Sequence, residues 1–250
     1  MKKLIFAMLL AGAAFADTYN VYLYSVKVKY QEKDNGKVID GEYNKFGDVT
    51  GLGVVYTNTS SSIPWYIKGE LAGGRTEYKG ATWGGTPIDF KHGGVGILEL
   101  QTGVYLTPIS AIYVGYRSWK RGKSDNPGDY DETYYWSYIG ISNEAYQKFN
   151  KIGIGVKVYA NYAINPKMQA YLGNSPILKL GKTYGYGGEF KINYYTPWNL
   201  IVNCFYRYDY WHITKSDLTP MTSGGSVYYI YEPDSDTKNQ YIGIGILQRF

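Results

Sequence analysis

A chain of 250 residues with 44% hydrophobic residues can build one large domain or two small ones, and its formal charge of +5 is too mild to argue for nucleic acid. The unusual figures are 30 tyrosines and 31 glycines. Tyrosine pairs a ring that suits hydrocarbon with a hydroxyl that suits water, so a surplus of it points to a membrane interface. Cys204 is the only cysteine, which excludes an intrachain disulfide and a zinc cluster, and with two histidines no metal site or cofactor is expected.

In chain order, Lys2 and Lys3 precede the apolar run Leu4 to Ala14, and Ala14-Phe15-Ala16 has the small-x-small form that a signal peptidase accepts. Residues 1–16 are expected to be a signal peptide, and residues 17–250 the mature domain. The run is too short for a membrane anchor, which needs about 20 apolar residues. Removing Lys2 and Lys3 leaves 24 Lys+Arg against 21 Asp+Glu, a mature charge of +3. After Ala16 no stretch approaches the length of a membrane helix, so a mature chain that crosses a membrane does so only as a closed barrel.

Period-2 alternation then divides the chain into ten segments, at 19–30, 46–58, 64–78, 94–106, 110–121, 132–145, 151–163, 182–195, 199–213 and 240–250. Each is near the 9 to 11 residues, roughly, that a tilted strand needs to cross a bilayer. The fold class is all-β, a closed antiparallel up-and-down transmembrane barrel of about ten strands. The sixth segment is hard to phase because Tyr134, Tyr135, Trp136 and Tyr138 crowd it, and a miscount there gives eight or twelve. The ninth is the clearest: Leu200, Val202, Cys204, Tyr206, Tyr208 and Tyr210 share one face, and Asn203, Arg207 and Asp209 the other.

A secreted β-sandwich would show the same local pattern with its faces reversed, burying Ile192, Val202 and Tyr206 in a dry core. Glycine weighs against that. Gly51, Gly53, Gly103, Gly115, Gly153, Gly155, Gly185, Gly187, Gly243 and Gly245 fall mostly on the polar face, which suits a narrow lumen where side chains interdigitate. The connections alternate short (59–63, 107–109, 146–150, 196–198) and long (31–45, 79–93, 122–131, 164–181, 214–239), and the prolines fall in them or at a strand's first residue. Within the last long loop, Ser226 to Tyr231 is a β-like run that could form a hairpin above the membrane.

The final segment, Tyr241 to Phe250, has Ile242, Ile244 and Ile246 at alternating positions and ends in Phe, while Gln248 departs from the apolar pattern. It resembles the C-terminal strand of small bacterial outer-membrane β-barrel proteins of the porin-like and opacity-like kind. The resemblance implies residence in the outer membrane of a Gram-negative cell, with outer-membrane lipid as neighbour. It also implies that Phe250 is an assembly signal read by the barrel-assembly machinery.

Parity sends Lys27, Lys29, Lys68, Glu70, Glu99, Arg117, Lys157, Glu189, Lys191, Arg207, Asp209 and Arg249 inward, eight bases and four acids. They read as ion pairs filling a polar lumen, or as the lining of a narrow, mildly anion-preferring channel. Trp65, Trp119, Trp136, Trp198 and Trp211 read as aromatic girdles.

Two enzyme classes of this membrane set tests for the histidines. Omptin-like proteolysis would need an acid–histidine pair at the barrel mouth, but Asp209 and His212 stand three apart and point to opposite faces. A lipid A deacylase would need a lipid-facing His and Ser, and His212 and Ser118 share no strand. His92 lies in a long loop beside Gly93 and Gly94 and reads as solvated. The expected function is therefore non-enzymatic, with no catalytic residues: a structural or surface-binding barrel with a filled lumen and exposed loop aromatics open to a surface ligand. The alternatives are the channel and, third, an outer-membrane hydrolase.

Overall fold

Alternating strands leave unpaired edges unless the sheet closes, and here it closes. The computed structural model describes residues 18–81, 87–124 and 129–249, so the segment 1–16 expected to be a signal peptide and Phe250 lie outside the described residues. In chain order the strands are β1 (Thr18–Asp34), β2 (Lys37–Tyr43), β3 (Val49–Asn58), β4 (Trp65–Ala81), β5 (Pro87–Tyr105), β6 (Ser110–Arg121) and β7 (Glu132–Phe149). They continue as β8 (Ile152–Ala170), β9 (Ile177–Lys179), β10 (Thr183–Tyr195), β11 (Leu200–Ile213), β12 (Thr219–Ser223), β13 (Ser226–Ile230) and β14 (Asp234–Arg249).

Neighbouring strands pair antiparallel in chain order, and β14 returns to pair β1 from Thr18↔Arg249 to Lys33↔Asp234. β2 and β3 lie end to end between β1 and β4, and β9 and β10 both pair β8, so the sheet has ten walls. Each of the ten predicted segments falls on one wall. The break between β2 and β3 is bridged by Asn44, whose side chain accepts from Val28 N (2.5 Å) and donates to Val26 O (2.8 Å), supplying the ladder bonds that the backbone omits.

The expected long connections are shorter than their sequence ranges, because β1, β4, β5, β8 and β14 run on past the apolar belt. The β1–β2 connection is a tight turn at Asn35 and Gly36, both at positive φ (48° and 77°), the geometry that suits a two-residue hairpin. The β-like run near Ser226 forms the small β12–β13 hairpin, paired Thr219↔Ile230 through Ser223↔Ser226.

The outward residues of the lower walls form an apolar belt. Leu23, Leu71, Ile141, Val158 and Ile244 are exposed, as are Ile192 and Tyr206 at 43% each, which overturns the sandwich alternative. An exposed greasy band around a closed sheet is stable only in hydrocarbon.

Inward glycines meet inward rings from the neighbouring wall. A Cβ on Gly53 would collide with Tyr22, one on Gly115 with Tyr138, and one on Gly185 would lie 2.6 Å from Trp211. The expectation that glycine marks a crowded lumen holds at these positions.

Candidate functional site: a two-tiered lumen

Within the belt, inward polar side chains have no water-filled bore to face and must pair with one another. Glu70 accepts from Arg207 Nη1 and Tyr22 OH, both at 2.7 Å, and lies 2.9 Å from Lys68 Nζ. Glu99 accepts from Arg117 Nη1 at 2.7 Å and from Tyr138 OH at 2.8 Å. Asp209 accepts from Tyr159 OH, Lys191 pairs with Glu144, and Glu189 stands opposite Lys157 in the ladder. Between these groups remains a cavity of about 40 Å³, bordered by Lys68, Glu99, Lys157, Glu189 and Arg207. That is room for little more than water.

Below this network the lumen widens into a vestibule of about 890 Å³ at the rim of the short turns, lined by Thr57, Tyr105, Glu144 and Tyr146 and by the turns at Ile63 and Pro108. Above it the lumen is blocked. Trp136 and Trp211 pack against each other with centroids 5.1 Å apart and ring planes tilted by 57°, and Trp119 packs on Tyr30 (4.9 Å) and Tyr134 (5.1 Å). Trp119 and Trp136 are each 2% exposed.

Over this aromatic layer sits a buried acidic cluster around one guanidinium. Arg121 reaches Glu42 (2.7 Å), Glu132 (2.5 Å) and Glu32 (2.9 Å), and lies over the Tyr30 ring at 4.3 Å. Glu232, from the last outer loop, accepts from Tyr134 OH (2.6 Å) and Tyr30 OH (2.9 Å), so that loop is tied into the barrel mouth. The outward neighbours on these walls are Gln31, Lys33, Lys120 and Thr133, which puts the cluster above the belt. Four carboxylates share one nearby cation, and burial raises the proton affinity of three of them, Glu32, Glu132 and Glu232. Desolvation, reinforced by Asp40, pushes Glu32 up to about 7. Desolvation, with Arg121 opposing and Glu32 reinforcing, pushes Glu132 to about 7. Burial, Glu32 and Glu132 lift Glu232 well above the carboxylate range.

Three of the expected inward charges are elsewhere. Lys27 and Lys29 are exposed on the outer face of β1, whose interior positions are Tyr22, Tyr24, Val26, Val28 and Tyr30. The apolar face of β1 turns inward there because that part of the wall stands above the membrane. Arg249 is exposed at the lower rim, 5.8 Å from the Tyr195 ring centroid. Removing these three from eight bases leaves five against four acids, and Glu144 makes the charges of the lower network equal. The basis for an anion preference disappears with them.

Among the tryptophans, Trp198 is 79% exposed and Trp65 lies beside Tyr56 near the lower rim, where a girdle belongs. Trp119, Trp136 and Trp211 are instead inside the lumen, since their parity puts them on the inner face of β6, β7 and β11. Sequence reasoning missed Arg121 and its carboxylates. Arg121 shares parity with Arg117 and was open to discovery, whereas Glu32, Glu42 and Glu232 fell in expected loops.

Asp209 is buried inward and His212 faces out, as their spacing requires. His212 Nδ1 instead lies 2.8 Å from Asp236 Oδ1 on the neighbouring strand, and Ser118 is four walls away on β6. The side chain of His92 lies outside the described residues. Cys204 is exposed on the lipid face.

No family model matches the chain, and no curated protein matches it. Among solved structures it is similar to the outer membrane protease OmpT of Escherichia coli, at 10% identity over 94% of this chain and 97% of that one, with a TM-score of 0.51. It is also similar to the β domain of the Bordetella autotransporter BrkA (12% identity, 94% and 100% covered, TM-score 0.43) and to Neisserial surface protein A (12%, 93% and 97%, 0.40). At such identities the likeness to OmpT speaks to fold and not to activity. A closed sheet of ten walls, a greasy outer belt and an end-to-end match to an outer-membrane barrel together give this chain the fold of a bacterial outer-membrane β-barrel.

Proposed function

We propose that this chain is a non-enzymatic outer-membrane barrel with a lumen closed toward the long loops, serving a structural or surface-binding role. The observation that carries the reading is the plug: Trp119, Trp136 and Trp211, capped by Arg121 and its carboxylates, occupy the bore where a solute would have to pass. A surface role draws support from the β12–β13 hairpin, where Val227, Tyr228 and Tyr229 are all more than half exposed. The last strand, β14, is the segment that assembly machinery would receive.

The test is planar-bilayer recording. The wild-type protein is expected to give no discrete conductance steps, and a variant carrying Trp119→Ala and Trp136→Ala to give small ones. Steps in the wild type that change with charge reversal at Arg117 or Arg207 would overturn the closed reading. They would favour the narrow channel instead, for which the vestibule at the short-turn rim is the supporting observation.

A further inference from the structure

On the outer face, directly above the apolar belt, adjacent walls set like charges side by side. Lys29 of β1 stands opposite Lys238 of β14, and Lys27 follows two residues along on the same face as Lys29. Like charges opposite one another in a ladder are destabilising unless something lies between them. Among the described residues no carboxylate lies within ion-pair distance of these three amines. The next acid on that face of β14, Asp236, is already held by Lys33, His212 and Tyr210, while Lys29 Nζ stands over the Tyr43 ring at 6.0 Å. The cationic group is thus unneutralised by the protein itself.

Its surroundings say what kind of anion fits. The same outward row continues from Lys238 through Tyr210 to Tyr186, whose rings lie 4.8 Å apart and present phenol edges at the boundary. Two outward positions below, past Gln240 and Tyr208, are Ile242, Tyr206 and Phe190, each more than 40% exposed on the belt. The surface therefore reads, from top to bottom, as amines, phenols and hydrocarbon. The ligand that matches this order has an anionic head and greasy tails, and the long-loop side of such barrels faces the outer leaflet.

We propose that Lys27, Lys29 and Lys238 form a binding site for the phosphate of an outer-leaflet lipid, whose acyl chains run down over Ile242 and Tyr206. Ammonium groups bind phosphate as point charges, and each lysine near an anionic surface adds about fivefold in affinity. The site is on the outer wall and stands whether or not the lumen conducts.

The experiment uses the full-length folded protein in phosphatidylcholine nanodiscs doped with phosphatidic acid, or with diacylglycerol of the same chains, and reads retained lipid by native mass spectrometry. The wild type is expected to retain phosphatidic acid about thirtyfold over diacylglycerol if two of the three lysines engage. The triple variant K27Q/K29Q/K238Q is expected to lose that preference, while K151Q, on a turn at the opposite rim, keeps it. All variants are checked for the heat-dependent gel shift of a folded barrel. Equal retention of the two lipids by the wild type overturns the proposal, as does an unchanged preference in the folded triple variant. Inorganic phosphate is the remaining arm: selective retention of free phosphate on these lysines, with no preference among the lipids, would assign the site to a soluble anion and overturn the lipid.

Discussion

The lower and upper halves of the barrel are built from the same strands with the same alternation, yet their chemistry is opposite. Within the belt, β1 turns Leu23 outward, while β11 turns Arg207 and Asp209 inward. A few residues higher, β1 turns Lys27 and Lys29 outward and Val26, Val28 and Tyr30 inward. Across the lumen at that level are Val95, Ile97, Trp119, Leu178 and Ile213. The lower half is a protein turned inside out for hydrocarbon, and the upper half is a water-soluble β-barrel with a hydrophobic core. What decides the polarity of a face is the solvent outside it, and the parity of the strand merely carries the pattern across the boundary.

The largest effect should come from breaking the upper half at its charged cap. Replacing Arg121 by alanine leaves Glu32, Glu42 and Glu132 buried without their shared cation, a loss of about 3–5 kcal/mol. Hydrogen exchange should rise in the upper parts of β1, β6 and β7, with the belt-level amides unchanged; uniform loss of protection would mean the halves are not separable. Next, Trp136→Ala should cost about 3–5 kcal/mol because the lumen around it cannot collapse. Ile154→Ala on the lipid face should cost far less, since lipid refills the space, and denaturant titrations of the two variants make that comparison.

Polarity itself can be reversed in place. Ile244→Lys puts a charge into the belt and should destabilise the barrel by about 2–4 kcal/mol if it lies near the midplane. Lys29→Ile, on the same seam but above the belt, should change stability little. Equal losses in the two would erase the boundary drawn here.

The last comparison is of pH. Glu32 and Glu132 bind their protons more tightly folded, with affinities near 7, than unfolded, where a glutamate titrates near 4.3, roughly. In that window the folded state holds more protons, so stability falls as pH rises from about 4 to about 7 and stays lower beyond. The temperature at which the unboiled band converts to its boiled mobility should be lower at pH 8 than at pH 5. A Glu32→Gln/Glu132→Gln variant should flatten that difference.

Which parts of this were readable in the amino-acid order follows from the same boundary. All ten walls were, because Gly, aromatic and aliphatic residues alternate most strictly where hydrocarbon lies on one side, as from Leu200 to Tyr210. The upper extensions were not, since a rule that puts the greasy face outward fails once water lies there. It misplaced Lys27 and Lys29, and a related assumption sent Trp119, Trp136 and Trp211 to the interface. Glu232 could not have been found, because its partners Tyr30 and Tyr134 are brought to it only by closure of the whole barrel.

The seam between β1 and β14 sets Thr18 directly opposite Arg249 on the lower rim. Topologically the described sheet is a ring with one seam that no turn joins, and the ladder is as regular there as elsewhere. A circular permutant joined from Arg249 to Thr18 by a short linker, and opened at the tight turn of Asn150 and Lys151, would keep every ladder of the sheet. It would also make β7 in place of β14 the last of the ten walls in chain order, and so separate what closes the sheet from where a wall stands in the sequence.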